Sequence, residues 1–308
     1  MSIRSIGGII PPIVTPFHED GSLNETLHRQ EVRYMVEQAK VHGLAVCGST
    51  GEGHTLNTAE CRALMEWTTD EVRDRIPVIA GIITNSTTAA VERANALQDL
   101  RPAAVQVTPV HYLFRPDDES MLRYFGEIAD RSGIPVIIYN VVPWAYLSPS
   151  LLVRIMREVP GVVGVKQSAS DMQSLVDLLM LIRDAGLEDS VRIITALDSL
   201  LYPSFQLGAH GAIAAILSAV PEHCVALWDA VQAGNLEQAQ RLHESLLQLW
   251  HALSAPNLPA NVREVMKLRG RDGGFPRAPM PVSSSEQTER IRSGIRAAQD
   301  PALIVPVV

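Results

Sequence analysis

The chain has 308 residues and a formal net charge of −8, with 46% hydrophobic and 19% charged residues. This composition is typical of a globular protein with a sizeable core and excludes a disordered chain. The acidic balance argues against nucleic acid as a partner, because no basic patch stands out to neutralise phosphates.

The cysteines and the N-terminal segment indicate the cellular compartment in which the protein is expected. Cys47, Cys61 and Cys224 have no C-x-x-C spacing and cannot all pair, so they are interpreted as buried thiols of a reducing compartment. Residues 1–10 contain a single arginine and only a brief apolar patch, unlike a signal peptide. No stretch is long and apolar enough to cross a bilayer, and the apolar run 211–220 is too short. We therefore expect a cytoplasmic protein with no membrane partner.

Short β-like runs alternate with amphipathic helical patterns from residue 8 to about residue 215. The predicted strands are Ile9–Val14, Leu44–Cys47, Val78–Gly81, Ala104–Val107, Val136–Tyr139, Val162–Val165, Arg192–Thr195 and Gly211–Ala214. The predicted helices are Asn24–His42, Thr58–Arg73, Ser86–Leu100, Asp117–Arg131, Ser148–Val159, Asp171–Ala185 and Ser199–Leu207, several with capping residues at their start. This alternation predicts an α/β fold, a closed parallel (β/α)8 TIM barrel. An open doubly wound sheet would normally carry a glycine-rich turn after its first strand, which Ile13–Phe17 lacks.

The pattern changes after Val220, where helical segments follow one another without strands between them. They are Pro221–Ala233, Leu236–Leu253, Pro259–Leu268 and, after a Gly/Pro-rich run, Ser283–Asp300. We therefore predict two regions: residues 1–220 form the barrel that carries the active site, and residues 221–308 form a C-terminal helical appendage.

A short apolar run of β-forming residues ends in Lys166, with small polar residues after it. As a buried strand, this run delivers one amine to the strand's C-terminal end, at the edge of a hydrophobic interior. An amine there is poorly hydrated, which disfavours its charged form and suits attack on a carbonyl to give a Schiff base. The alternative is a strand-end lysine whose stem is buried while its head reaches solvent.

Two further strand ends carry groups that suit this chemistry. After the second strand, glycines flank Ser49 and Thr50, so that Gly48 and its neighbours can leave backbone amides free to cradle a carboxylate. The fifth strand ends at Tyr139, whose phenol can shuttle protons beside a lysine. The alternatives are an ordinary capped turn and a half-buried core tyrosine.

The loops after the fourth and seventh strands give weaker candidates. His111 or Tyr112 either contributes to the mouth of the barrel or crosses to a neighbouring subunit, although a loop histidine with no visible partner is more often structural. Asp198 either lies at the mouth or serves as the N-cap of the predicted helix Ser199–Leu207.

Taken together, four motifs resemble the family of dihydrodipicolinate synthase and N-acetylneuraminate lyase, which are pyruvate-type class I aldolases and lyases on a (β/α)8 barrel. The motifs are Gly48–Glu52, Tyr139–Val141, Gly164–Lys166 and Leu207–Gly211, in the right order and at suitable separations. The resemblance covers nearly the whole chain, from Gly7 to Pro281.

This resemblance implies roles for individual residues. Lys166 matches the lysine that forms the Schiff base with a 2-oxo acid, and Tyr139 matches the tyrosine that relays protons. Ser49 and Thr50 match the hydroxyl pair that holds the carboxylate and connects to that tyrosine. Ile213 matches an apolar position that lines the pyruvate pocket.

The resemblance also bears on partners and cofactors. His111, or Tyr112 beside it, falls where family members often carry a tyrosine that reaches into the neighbouring subunit's site, so a homo-oligomer, a dimer or a tetramer, is expected. The Schiff-base chemistry needs no metal and no diffusible cofactor, and no convincing ligand cluster stands out in the sequence.

The chain departs from the family pattern at three places. Where dihydrodipicolinate synthase carries an arginine for the second substrate's carboxylate, this chain has Trp144 and Tyr146. An indole does not replace a guanidinium at a bidentate carboxylate site, which argues against lysine biosynthesis and for an aromatic or neutral polyol group on the substrate. Ala196 stands where family members often have a glycine after the seventh strand. Leu197 stands beside Asp198, at a position where a second acidic group would be useful for binding sialic acid.

We therefore predict a Schiff-base-forming lyase that makes or breaks a carbon–carbon bond of pyruvate or a longer 2-oxo acid, with an aldehyde as the second small molecule. The alternatives are a 2-keto-3-deoxy sugar acid dehydratase or aldolase of the same family, and a non-catalytic 2-oxo acid binding protein. A phosphate-binding barrel with a flavin or pyridoxal cofactor would need a glycine-rich phosphate loop, for which Ala209–Gly211 is thin support.

Overall fold

The computed structural model describes residues 5–169 and 171–298. Its strands are β1 (Gly8–Ile9), β2 (Leu44–Val46), β3 (Val78–Ile82), β4 (Ala104–Val107), β5 (Val136–Asn140), β6 (Val162–Gln167), β7 (Arg192–Thr195) and β8 (Gly211–Ala212). All are parallel, in the order β1-β8-β7-β6-β5-β4-β3-β2. A parallel bridge between Pro12 and Ala45 joins the continuation of β1 to β2. The sheet therefore closes on itself, and the predicted (β/α)8 barrel is confirmed.

Helices follow the strands in alternation and then continue alone. They are α1 (Glu25–Glu37), α2 (Thr58–Val72), α3 (Thr87–Asn95), α4 (Asp118–Ser132), α5 (Pro149–Glu158), α6 (Met172–Asp184), α7 (Leu201–Gln206), α8 (Ile216–Ala219), α9 (Pro221–Gln232), α10 (Leu236–Leu253), α11 (Leu258–Leu268) and α12 (Ser285–Ala297). Asp300, the predicted end of the last helix, lies outside the described residues. None of the described helices has the length and apolarity needed to span a bilayer. The division into two domains at residue 220 stays a prediction.

Predicted capping residues begin several helices. Asn57 and Glu60 form a reciprocal capping box at α2, in which each side chain bonds the other residue's amide. Ser86 and Ser148 accept hydrogen bonds from the first turns of α3 and α5. These local bonds set where each helix starts, and therefore the length of the loop between it and the preceding strand.

An apolar layer fills the interior of the barrel. Its members point inward from the strands or directly after them: Ile10, Ala45, Ile79, Ala104, Ile137, Ile194 and Ile213. Because side chains alternate across a strand, the residue two positions after Ile137 on β5 faces the same interior, and so does its register partner on β6. Tyr139 and Lys166 are those residues, and their strands bring them to the C-terminal mouth of the barrel.

Several predicted element bounds differ from the structure; the helix predicted over Ser86–Leu100, for example, ends at Asn95. The strand predicted over Ile9–Val14 is regular only to Ile9, because Pro11 and Pro12 have no amide hydrogen to donate to a neighbouring strand. The first helix ends at Glu37 and not at His42, and Lys40 beyond it has a left-handed backbone. The helix predicted from Ser199 begins at Leu201, after a 3-10 turn over Asp198–Leu200.

Candidate active site

The amine of Lys166 lies against the aromatic ring of Tyr139. The two residues are direct neighbours in the register of β5 and β6, and the Nζ atom is 3.9 Å from the ring centroid. Both side chains are buried, with relative exposures of 4% for Lys166 and 1% for Tyr139. The sequence-predicted pair is therefore brought together at the mouth, and the amine is withdrawn from bulk water.

The phenol of Tyr139 connects this pair to the loop after β2. Its hydroxyl donates a hydrogen bond to Ser49 Oγ over 2.9 Å. Burial raises the pKa of this phenol, but the nearby charge of Lys166 and the hydrogen bonds with Ser49 and Lys166 lower it, and the lowering effects prevail. A phenol with a lowered pKa exchanges its proton more readily, as a proton relay requires.

The loop that contains Ser49 and Thr50 presents free backbone donors. Among the described residues, the amides of Thr50 and Gly51 have no hydrogen-bond acceptor, whereas the amide of Ser49 is hydrogen-bonded to the Tyr139 phenol. Ser49 is exposed and Thr50 is buried, so the two hydroxyls lie at different depths. The loop turns tightly: Cys47 has a φ of 60°, and a side chain at Gly53 would place its Cβ 1.9 Å from the carbonyl oxygen of Cys47. The arrangement can cradle an anion between hydroxyls and amides.

Glu52 anchors this loop to the C-terminal part of the chain. This structural role was not predicted from the sequence. The backbone of Glu52 is left-handed, with a φ of 55°, and its side chain is fully buried. One carboxylate oxygen lies 2.7 Å from Nη2 of Arg263, and the other accepts a hydrogen bond from the amide of Arg277. The strained turn is thus tied to the C-terminal segment of the chain.

The loops after β3, β4 and β5 are joined above the mouth. The indole of Trp144 donates to the carbonyl oxygen of His111 over 2.8 Å, and the amide of His111 donates to Oδ1 of Asn85. The His111 ring lies 3.0 Å from the carbonyl oxygen of Pro109, so this side chain is engaged within its own chain. Tyr112 is 70% exposed and is the member of the predicted pair that remains open to solvent.

Asp198 lies near the amine but does not cap the helix that follows it. Its Oδ1 accepts a hydrogen bond from the amide of Ile216, after β8, over 2.7 Å. Burial raises the pKa of this carboxyl to about 6, against the opposing effects of the Ile216 amide and the Lys166 charge. Ile213, also predicted at the site, is fully buried in the apolar layer below the mouth.

A second pair that the sequence reasoning left without a role orders the loop after β5. The amide of Asn140 donates to Gln167 Oε1 and to the carbonyl oxygen of Leu147, and its oxygen accepts from the Leu147 amide. All three residues are buried. Since Asn140 and Gln167 directly follow Tyr139 and Lys166, these bonds fix the ends of both strands. In the sequence, the asparagine directly after a strand-end tyrosine was the signal that could have identified this pair.

Comparisons with known proteins agree with this geometry. The model of the Dihydrodipicolinate synthetase family matches residues 5–298. The 4-hydroxy-tetrahydrodipicolinate synthase of Methanopyrus kandleri is 32% identical over 294 residues, 94% of this chain and 96% of that protein. The protein of the same name from Ralstonia nicotianae is 32% identical over 299 residues, 96% of this chain and 99% of that protein. The crystal structure of dihydrodipicolinate synthase from Thermotoga maritima has a TM-score of 0.89 at 27% identity and covers 95% of this chain and 98% of that one.

Proposed function

Because the chain belongs to the dihydrodipicolinate synthetase family, we propose that it is a lyase that forms a Schiff base between Lys166 and pyruvate or a longer 2-oxo acid. One observation carries this proposal: a buried amine lies 3.9 Å from the ring of a tyrosine whose hydroxyl bonds Ser49. A primary amine, a proton relay and a carboxylate cradle are the groups that imine chemistry on an oxo acid needs.

In the proposed reaction, Nζ of Lys166 attacks the 2-carbonyl carbon. Tyr139 moves one proton from the amine nitrogen to the carbonyl oxygen and donates a second, so that the oxygen leaves as water. The iminium that remains withdraws electrons from the third carbon. Loss of a proton there gives an enamine, which adds to an aldehyde. The reverse sequence cleaves a longer 2-oxo acid. The enamine of a longer acid that has a hydroxyl on its fourth carbon can instead expel that hydroxyl as water.

The carboxylate of the oxo acid is assigned to the loop after β2. The amides of Thr50 and Gly51, which have no acceptor among the described residues, are the donors there, together with the hydroxyls of Ser49 and Thr50. Ser49 is then shared between the carboxylate and Tyr139. This sharing would connect the bound acid to the proton relay through Ser49.

The second substrate is assigned to the space beneath Trp144 and Tyr146. The relatives from Methanopyrus kandleri and Ralstonia nicotianae are named as synthases of 4-hydroxy-tetrahydrodipicolinate. In this chain an indole that is 71% exposed and bonded to His111 stands in the loop after β5. We propose a less anionic acceptor than aspartate semialdehyde, either an aromatic aldehyde or a neutral polyol aldehyde. With a polyol aldehyde, the product of condensation with pyruvate is a 2-keto-3-deoxy sugar acid. A preference for aspartate semialdehyde in a substrate screen would overturn this assignment.

We further propose a homo-oligomer, a dimer or a tetramer, in which the loop after β4 meets a second copy. Three consecutive side chains of this loop, Tyr112, Leu113 and Phe114, are 70%, 74% and 81% exposed. Such a cluster of exposed apolar side chains marks an association surface. Sedimentation equilibrium of the wild type and of a Leu113→Glu, Phe114→Glu double variant tests this, and a monomeric wild type contradicts it.

The decisive experiment for the reaction is mass spectrometry after borohydride reduction in the presence of a panel of 2-oxo acids. The mass of the adduct names the electrophile, and its loss in Lys166→Ala locates the amine. Exchange of the methyl protons of pyruvate with solvent then separates a catalyst from a protein that only binds the acid, because exchange requires the enamine. No adduct in the wild type would refute the proposed function.

A further inference from the structure

A polar side chain, Gln106, lies inside the barrel on β4. Ala104, two residues earlier, belongs to the interior apolar layer, so alternation places Gln106 on the same inward face, one layer nearer the mouth. In the register of the sheet it lies between Gly81 of β3 and Ile137 of β5. Gln106 is fully buried, with a relative exposure of 0%.

The amide of Gln106 has no hydrogen-bond partner in the described part of the chain, at either Nε2 or Oε1. The next inward position, Thr108, is 1% exposed, and its Oγ1 also has no partner among the described residues. Burying a primary amide without a hydrogen bond destabilises a fold, so unpartnered groups of this kind are rare and concentrate at functional sites. An apolar residue would serve a purely structural role at this position better.

The free amide is aimed at the carboxylate cradle. Its Nε2 is 3.0 Å from the position that a Cβ atom on Gly48 would occupy, at the start of the loop that carries Ser49 and Thr50. Its strand neighbour Ile137 lies two residues before Tyr139, so the amide lies one layer below the phenol. The side chain therefore lies beneath the bound acid proposed above.

We propose that Gln106 is a substrate-binding residue that donates its amide hydrogens to the carboxylate of the 2-oxo acid from the interior of the barrel, opposite Ser49 and Thr50. This rests on the proposed function, because it requires a 2-oxo acid at Lys166. A carboxylate accepts several hydrogen bonds, and an amide provides two donors without adding a charge beside the lysine. Binding of the acid then supplies hydrogen-bond acceptors for Nε2, which has none among the described residues.

Gln106→Met, which keeps the length of the side chain and removes its polar atoms, tests the proposal. The pyruvate concentration that half-saturates borohydride trapping at Lys166 is expected to rise about 10- to 100-fold, the effect of losing a hydrogen bond to a charged group. The melting temperature is expected to stay the same or to rise, because no protein group loses a partner. With hydroxyacetone, a ketone without a carboxylate, wild type and variant are expected to trap equally.

Gln98→Met is the matched control. The Gln98 side chain lies in the turn before β4 and is exposed to solvent. It donates a hydrogen bond to the carbonyl oxygen of Ser132. This variant is expected to trap pyruvate like the wild type.

The other possible outcomes each overturn the proposed role of Gln106. Unchanged half-saturation of Gln106→Met by pyruvate, or an equal loss with hydroxyacetone, overturns the role of Gln106 and leaves the proposed function standing. A large fall in its melting temperature, repeated in Gln106→Leu, shows that the amide supports the fold and overturns the proposal as well. If the wild type traps no 2-oxo acid at Lys166, the proposed function fails first and this inference fails with it.

Discussion

The Nζ atom of Lys166 lies 3.9 Å from the centroid of the Tyr139 ring, although the two residues come from different strands. A cation over an aromatic face is favourable, and here the same contact brings the amine to the phenol that would serve it. The ring and the hydroxyl of Tyr139 therefore have separable tasks. In the proposed reaction, the ring positions the amine, and the hydroxyl, which is bonded to Ser49, moves protons.

Tyr139→Phe separates these tasks, because it keeps the ring and removes the hydroxyl. Imine formation with pyruvate is expected to slow by about 100- to 10,000-fold, the usual contribution of a positioned acid or base. Rapid-quench borohydride trapping measures this rate. Tyr124→Phe is the control, since the Tyr124 hydroxyl is also buried but donates to the carbonyl oxygen of Thr108. A Tyr139→Phe rate close to that of the control would remove the phenol from the mechanism.

Glu52→Ala is expected to destabilise the whole protein. It removes the partner of Arg263, and the two side chains are only 0% and 5% exposed. A buried charge left without its partner costs about 3–5 kcal/mol of unfolding free energy, which urea titration measures. Glu237→Ala breaks the exposed pair with Arg241 in α10 and is expected to cost no more than about 1 kcal/mol. Equal losses in the two variants would contradict the anchoring role of Glu52.

Acid should destabilise the fold through His28. Burial lowers the pKa of this histidine from 6.5 to about 4, and its Nε2 lies 2.8 Å from Thr68 Oγ1. The unfolded chain takes up the proton first, so stability is lost as the pH falls from about 6.5 to 4, by up to about 3 kcal/mol. Urea titrations at pH 7 and pH 4 should show a smaller loss for His28→Gln than for the wild type. The control variant His251→Gln changes an exposed histidine and should lose as much stability between pH 7 and pH 4 as the wild type does.

Asp198 should have the opposite effect on stability, which it should lower as the pH rises. Burial raises its pKa from 3.8 to about 6, so the folded protein holds a proton that the unfolded chain has released, and stability is lost as the pH rises from about 4 to 6. Asp198→Asn keeps an acceptor for the Ile216 amide and removes the titration. Relative to the wild type it should gain stability between pH 4 and pH 7, by at most about 3 kcal/mol and by less where solvent reaches the side chain. A constant difference across this range would contradict the raised pKa.

The sequence predicts the barrel well because each strand is a short apolar run with a clear helical pattern after it. Lys166 and Tyr139 are predictable for a related reason: strand ends of a parallel barrel converge, so chemistry-bearing residues at those ends meet. Partners that depend on tertiary register are not predictable in this way. The bond from the Ile216 amide to Asp198 joins two loops on different strands, and the local sequence favoured a helix cap. Gln106 was visible as a glutamine within Ala-Val-Gln-Val, but only the tertiary structure shows that its Nε2 lies next to Gly48.

Trp144 should affect the second substrate and leave the first step unchanged. Its indole is bonded to the carbonyl oxygen of His111, in loops that lie above the Lys166 and Tyr139 pair and that hold none of the residues assigned to the imine. Trp144→Phe keeps a ring and loses the bond that joins the two loops, so binding of the aldehyde is expected to weaken by at most the worth of that bond, about two- to tenfold. Pyruvate trapping and methyl-proton exchange should match the wild type, while KM for the aldehyde should rise by that factor. Trp144→Ala, which also removes the ring, should raise KM further. An equal loss in trapping would mean that the joined loops shape the pyruvate pocket itself, and the assignment of Trp144 to the aldehyde would then be wrong.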